Sequence, residues 1–221
     1  MESLQVNRFN HVGNTLTELQ TENIDGRRFY KTPNGNYQSI TTLLSNLSKA
    51  GIQAWRARVG KEEANRISTK ASRQGTAVHS ICESYIKNEE GFLTESMPHL
   101  VEMFESIQPL LDRIDNIHVT EGALYSDELE LAGRTDLIAE FDGQLAVIDY
   151  KTSRRIKTWE QCASYFMQGA FYAHAYEERT GIPINNIVII MAVENEKPLL
   201  FRETRERWIN PLREVITKYQ F

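Results

Sequence analysis

Residues 129–153 read LELAGRTDLIAEFDGQLAVIDYKTS, and the last seven of them, VIDYKTS (147–153), contain a conflict. Valine, isoleucine and tyrosine belong in a buried strand, yet Asp149 and Lys151 put two charges on one face of it. Asp142-Gly143 is a two-residue hairpin signal. Taken as the loop, it makes Phe141 face Gln144, Ala139 face Ala146, Leu137 face Ile148, and Asp136 face Asp149. Directly opposed residues share a face with Cβ atoms about 4.5–5.5 Å apart. Two carboxylates so placed repel each other, and a divalent cation between them reverses the sign of that interaction. Oxygen ligands in an incomplete shell suit Mg2+ or Mn2+. An ammonium at Lys151 can orient a water beside such an ion, or balance charge on a phosphorane-like transition state. Of the nine lysines, only Lys151 has an acidic residue two positions before it. The plain alternative is an edge-strand ion pair open to water. Against it, both faces of the hairpin are otherwise apolar: Leu137, Ala139 and Phe141 (with Thr135) on one, Ile138, Leu145 and Val147 on the other.

Working outward, the period-2 pattern extends to IHVTEGALYS (117–126), LELAGRTDLIAEF (129–141) and QLAVIDYKT (144–152), three consecutive strands with turns at Ser126-Asp127-Glu128 and Asp142-Gly143. A helix is expected over 158–180, stopped by Gly181 and Pro183, followed by a buried strand at IVIIMAV (187–193) that requires a crossover. LLFRET (199–204) reads as an edge strand and 211–218 as a closing helix. Upstream, FYKTPNGNYQSIT reads as a hairpin about Asn34-Gly35, residues 39–73 as helices broken at Gly51 and Gly60, Ser72 to Gly75 as an interruption, 75–88 as a helix, and Pro98 to about Ile114 as another. The expected fold is α/β: a small mixed sheet, built from a three-strand antiparallel meander plus a crossover strand, flanked by helices and preceded by a helical region. Residues 1–27 are expected as a loose arm and 28–221 as a single domain, divided into a hairpin and helical region (28–115) and a sheet with C-terminal helices (116–221).

The chain has 221 residues, 41% hydrophobic and 25% charged, which is enough apolar material for a real core. No apolar run approaches the roughly 20 residues of a membrane span, and the N-terminus has neither the h-region of a signal peptide nor the Arg-rich pattern of a transit peptide. Two cysteines, Cys82 and Cys162, exclude a four-cysteine zinc site or an Fe–S cluster. A reducing cytoplasm is the expected compartment. The net charge of −5 argues against nucleic acid until its distribution is considered. Lys49 to Arg73 holds seven basic residues against two acidic ones, and 151–157 adds Lys151, Arg154, Arg155 and Lys157 with no acid.

Three further candidates join the acids. Glu121, on the preceding strand, is expected near Gly133 and Arg134, where it either reaches a metal or is simply solvated. His79 follows Gly75-Thr76, a small pair that allows close packing, and imidazole can complete a mixed carboxylate site; Glu83 one turn on can bond its other nitrogen. Gln168 and Tyr172, at i and i+4 on the long helix and sharing a face with Tyr165, can bind phosphate or stack on a base, or can be ordinary boundary residues of an amphipathic helix.

GTAVH (75–79), GRTD (133–136), VIDYKTS (147–153) and QGAFY (168–172), in this order, resemble the PD-(D/E)XK nuclease superfamily, in particular its RecB-like exonuclease branch. FYKTPNGNYQSITTLL and AWRARVGKEEAN resemble the N-terminal parts of phage-encoded exonucleases and of mitochondrial genome maintenance exonuclease relatives. The resemblance covers about residues 28 to 193. It implies a restriction-endonuclease-like core and metal-dependent hydrolysis of DNA, using Mg2+ or Mn2+ and no Fe–S cluster. Carried over by position, His79, Asp136, Asp149 and the Tyr150 carbonyl are the implied metal ligands. Lys151 is the implied catalytic lysine, acting with Asp136 and Asp149, and Gln168 and Tyr172 are the implied substrate-binding or site-steadying pair. Arg73, Thr152 and Arg154 join them as expected strand-binding residues. The expected partner is DNA, single-stranded or with free ends, and possible protein partners belong to replication or recombination. The expected setting is the cytoplasm of a bacterium or of a virus-infected host. A structure-specific endonuclease with the same site, and a non-catalytic DNA-binding or recombination-partner module, are the competing readings.

Overall fold

The computed structural model describes residues 8–13 and 16–220, which form a mixed sheet covered by helices on both faces. In chain order the elements are β1 (Thr21–Ile24), β2 (Arg27–Thr32), β3 (Gly35–Ser39), α1 (Ile40–Val59), α2 (Lys61–Ile86), α3 (Pro98–Leu111), β4 (Ile114–Ser126), β5 (Leu131–Phe141) and β6 (Gln144–Ser153). A 3-10 turn (Glu160–Cys162), α4 (Ala163–Thr180), β7 (Asn186–Val193), β8 (Leu199–Thr204) and α5 (Arg205–Tyr219) complete the chain.

The tight turn sets the register of the central hairpin. Asp142 and Gly143 both have positive φ (52° and 75°), as a type I′ loop requires. Phe141 pairs with Gln144, Ala139 with Ala146, and Leu137 with Ile148. β6 continues in parallel with β7, from Ala146↔Asn186 to Ser153↔Val193, with α4 as the crossover. β8 closes that edge antiparallel to β7.

The opposite end of β5 is forked. β4 pairs along one edge of β5, from Ser126↔Leu131 to Ile114↔Phe141. On the other edge β6 takes Leu137 to Phe141, while β3 takes Leu131 and Ala132 in parallel. Residues 133–136 lie between the tines with no ladder partner on that side. The face alternation also slips here. Leu131 packs with α1 and α4, whereas Leu137, Ala139 and Phe141 pack with α2 and α3.

The two cores lie on opposite faces of the sheet. Val147, Ile189 and Met191 pack under Phe166, Phe171 and Tyr176 of α4; Ile148, Tyr150 and Ile190 pack under Val78, Ile81 and Cys82 of α2 and Phe104 and Ile107 of α3. Cys82 and Cys162 are both buried, one in each core, so the sheet separates them.

Several expectations are corrected. The expected α/β class, with its antiparallel meander, crossover strand and flanking helices, is found, while the sheet reaches eight strands among the described residues because the N-terminal hairpin joins it through the parallel β3–β5 contact, a non-local pairing that no local pattern announces. The loop of that hairpin is Pro33-Asn34, with Thr32 paired to Gly35; proline lacks the N–H a ladder needs and takes the turn. α1 runs through Gly51, and α2 runs through Ser72–Gly75. One helical glycine costs only about 1 kcal/mol, which tertiary packing outweighs. The single break is at Gly60, whose φ of 87° suits glycine. The β4–β5 turn is Asp127–Glu130 rather than 126–128. α5 begins at Arg205 and carries Pro211 inside it. The expected arm, 1–27, lies partly outside the described residues (1–7 and 14–15). Of the rest, Phe9 is buried against Tyr85, His11 bridges to Ile117, and β1 joins the sheet. Among the described residues no helix is long and apolar enough to cross a membrane.

Candidate active site

The fork places acids where strands part. Thr120↔Leu137 and Gly122↔Thr135 flank one step of the β4–β5 ladder, and that step sets Glu121 opposite Asp136. Glu121 has φ of 53°, a left-handed conformation uncommon for a side-chain-bearing residue outside turns. Sequence reading placed it beside Gly133 and Arg134. The longer turn at Asp127–Glu130 shifts the register and moves it alongside Asp136 instead.

From the helical layer, His79 on α2 reaches the same point. Its Nδ1 is 3.3 Å from Asp136 Oδ2, and its ring meets Tyr150 edge-on at 5.9 Å between centroids. One ligand atom each from His79, Glu121 and Asp136 lie within 4.8 Å of one another. Glu83, expected on the other His79 nitrogen, pairs with Lys87.

The expected face-to-face pair of Asp136 and Asp149 does not form as a ladder step. Pairing between β5 and β6 ends at Leu137↔Ile148. Beyond it the Asp136 carboxylate fills the gap and accepts the Tyr150 N–H at 2.9 Å. In an extended strand the N–H and C=O of one residue leave by the same edge, so the Tyr150 carbonyl also faces the fork. Asp149 lies outside the trio. It is 2% exposed, and Lys151 Nζ stands 2.5 Å from its Oδ2. Neither of its oxygens receives an aligned hydrogen bond among the described residues.

The electrostatics favour a cation. Burial pushes the Asp149 carboxyl up to about 6 despite Lys151, and the charge of Asp136 adds to the rise. Burial raises Glu121 to about 7, assisted by Asp136 and Glu83. Although burial opposes its charge, Lys151 is held above the ordinary lysine range by Asp149 and Asp136. A carboxylate without aligned donors, beside three ligand atoms close enough to share one ion, is a donor set of hard oxygens and one imidazole. That set fits a divalent cation such as Mg2+ or Mn2+.

Two glycine- and tyrosine-bearing segments support the fork. A Cβ on Gly133 would stand 2.9 Å from Ile40 Cγ2 and 2.9 Å from the Tyr172 ring and hydroxyl. Tyr172 therefore fills the space between the tines, and its hydroxyl receives Gln168 Nε2 at 3.4 Å. At 1% exposure Tyr172 has no surface to offer a strand. Thr152 lies against Gly75 of α2, half-buried. Arg154 is exposed and lines, with Arg66 and Lys70, a cavity of about 160 Å³. Arg73 is exposed farther along α2, in a groove shared with Arg66, Lys70 and Phe92. Sequence reading did not single out Arg134 or Lys157. Arg134 pairs with Glu18 and donates to the Glu121 carbonyl, bracing the strained residue. Lys157 donates to Tyr165 at 2.7 Å; its signal was only its place in a basic run.

Over part of the chain there is 28% identity to mitochondrial genome maintenance exonuclease 1 of Mus musculus, across 110 residues that make up 48% of this chain and 32% of that protein. The Homo sapiens protein of the same name is 28% identical across 116 residues, 50% of this chain and 33% of that protein. The matched stretch thus spans about a third of the length of these curated relatives. A crystal structure from Eubacterium rectale, provisionally described as an exonuclease, superposes with a TM-score of 0.47 at 12% identity, covering 65% of this chain and 63% of that one. The family model of the PD-(D/E)XK nuclease superfamily matches residues 27–216, a span that takes in the fork, His79 and the α4 tyrosine, and the chain belongs to that superfamily.

Proposed function

We propose that the chain is a divalent-metal-dependent exonuclease that hydrolyses phosphodiester bonds at linear or single-stranded DNA ends, in replication, repair or recombination. The observation that carries this reading is the convergence of Asp136, Glu121 and His79 at the fork, with the buried Asp149–Lys151 pair beside them. The exonuclease names of the relatives support the mode of cutting. In this reading the protein works in the cytoplasm of a bacterium or of a virus-infected cell, and a replication or recombination protein is a fitting partner.

His79, Asp136 and Asp149 would hold the ion, with the Tyr150 carbonyl and Glu121 facing the same gap. The ion supplies Lewis acidity, offsetting charge on the phosphate oxygens and easing deprotonation of water. Lys151, fixed by Asp149, directs its remaining ammonium hydrogens at the attacking water and at charge developing on phosphorus. Water oxygen would bond to phosphorus and give a proton to solvent, the P–O3′ bond would break with its electron pair going to the 3′ oxygen, and a solvent proton would make that oxygen a hydroxyl, leaving a 5′-phosphate. Asp136 keeps the Tyr150 backbone in place through its hydrogen bond, and Tyr172 with Gln168 props the fork open. Arg73, Thr152 and Arg154 would hold the strand by its phosphates.

A time course on end-labelled linear single-stranded DNA, with Mg2+, Mn2+ or EDTA and beside a circular strand, tests the reading. Stepwise loss of label from linear DNA only, abolished by EDTA and lowered about 10²–10³-fold by Lys151→Ala, is the expected result. Cutting of the circle shows an endonuclease. Binding without cleavage, indifferent to Lys151→Ala, shows a non-catalytic module.

A further inference from the structure

Beyond the fork, the chain carries a positive charge that the reaction does not use. Lys157 is half-buried, and its ammonium donates to the Tyr165 hydroxyl at 2.7 Å and lies 4.8 Å from the Tyr165 ring centroid. Lys151 approaches the same ring, at 5.1 Å. The two ammonium groups are therefore no farther apart than the sum of those distances. Their surroundings differ. The charge of Lys151 is met by Asp149, whereas no carboxylate pairs with Lys157 among the described residues. Arg154 and Arg155 precede it and add like charge. A half-buried ammonium that donates to a neutral phenol, pairs with no carboxylate among the described residues and follows two arginines in sequence is suited to receive an anion.

We infer that Lys157, fixed by Tyr165, binds the phosphate of the strand adjacent to the scissile one. The inference rests on the strand-cleaving reading above and adds to it a second phosphate subsite on the α4 side. Tyr165 makes the subsite rigid: its ring carries Lys151 and its hydroxyl carries Lys157, so the two phosphate-facing cations keep a fixed spacing that successive phosphates of one strand can match. Lys157 reads charge and spacing, not base identity, which suits an enzyme that steps along a strand.

Counterion release gives a readout that needs no cleavage. Each phosphate neutralised on a single strand contributes about −0.7 to the slope of log affinity against log salt. Affinity for a fluorescent thymidine strand of about twelve nucleotides is measured with Ca2+ in place of Mg2+, between about 50 and 200 mM salt. For Lys157→Gln the slope is expected to shrink by about 0.7, with affinity at low salt down about tenfold. Lys157→Arg is expected to restore the slope, Tyr165→Phe to weaken affinity severalfold, and Lys218→Gln, on α5 away from the site, to change neither. Thermal melts on each variant identify any loss due to unfolding, and Tyr165→Phe supplies the test if Lys157→Gln does not fold: affinity equal to the wild type then overturns the subsite. An unchanged slope for folded Lys157→Gln overturns the subsite, as does wild-type protein that binds no strand. Wild-type protein that binds with the expected slope changes but never cleaves with Mg2+ or Mn2+ removes the nuclease reading and leaves the subsite standing.

Discussion

At one end of β5, Leu137 to Phe141 pairs residue by residue with β6 around a two-residue loop. At the other, Leu131 to Asp136 parts from β6, takes β3 at its tip, and leaves four residues between the tines. Both ends carry an aspartate of the same hairpin. Asp142, in the loop, is exposed and held by Arg113 at 2.6 Å and by Arg202, and those guanidinium groups lower its carboxyl to about 2. Asp149, near the fork, is buried, has no aligned donor, and is raised to about 6. At the closed end the Asp142 carboxylate is met by two guanidinium groups. At the open end the Asp149 carboxylate has one ammonium close by and no aligned donor, and a cation can complete it. Local chemistry determines the first, while several distant elements meeting at one gap determine the second.

The largest effect expected from this contrast is at Asp149. Asp149→Asn leaves Lys151 charged, enclosed and without its partner, which costs about 3–5 kcal/mol of stability for a broken buried pair, measured by urea unfolding, and hydrolysis should cease. A loss as small as that expected at Asp142 would mean the fork pair is solvated like a surface one. Next is Gly133→Ala. Its Cβ would press on Ile40 and Tyr172, and overpacking of this kind costs about 1–3 kcal/mol. The same denaturation series checks it, and a neutral result would show that Tyr172 does not fill the fork.

A pH series sharpens the comparison further. Glu121 and Asp149 have folded values of about 7 and about 6, above those of the unfolded chain. Between those values and the ordinary carboxylate range the folded protein holds more protons, so metal-free stability should rise as pH falls from about 7.5 to about 5. A bound cation expels those protons, so the rise in Tm produced by Mg2+ should shrink over the same interval. Asp142 stays ionised throughout and adds no slope. Thermal melts with and without Mg2+ report both trends. The smallest effect is at the loop itself: Asp142→Asn removes an exposed ion-pair network and should cost less than about 1 kcal/mol, with strand cleavage unaltered.

The same contrast explains what could be read from the sequence. Asp142-Gly143 fixed the pairing of Leu137 with Ile148 because a type I′ loop permits one register, and the apolar alternation of Ile138 and Val147 against Leu137 and Ile148 showed two covered faces. The order of β7 after α4 followed from the length of the crossover. The Glu121 position was missed because the turn at Asp127–Glu130 carries no dipeptide signal of comparable force and a longer turn shifts the facing residue. Asp136 was read as a ladder partner of Asp149, whereas the ladder stops one step earlier. Its gap depends on β3 and Tyr172, which arrive from residues 35–39 and from α4. Gly51 and the stretch Ser72–Gly75 were read as interruptions because propensity is local and the packing that overrides it is not. Lys157 gave no signal beyond its charge, since its neutral partner Tyr165 lies on the next element.

One measurement tests the central claim most directly: anomalous diffraction from crystals of the protein grown with Mn2+. The account predicts a manganese peak at the fork, in contact with His79 and the Asp136 carboxylate, and its absence in crystals of Asp136→Asn. A peak elsewhere with the fork empty, or a fork peak that survives Asp136→Asn unchanged, would contradict it.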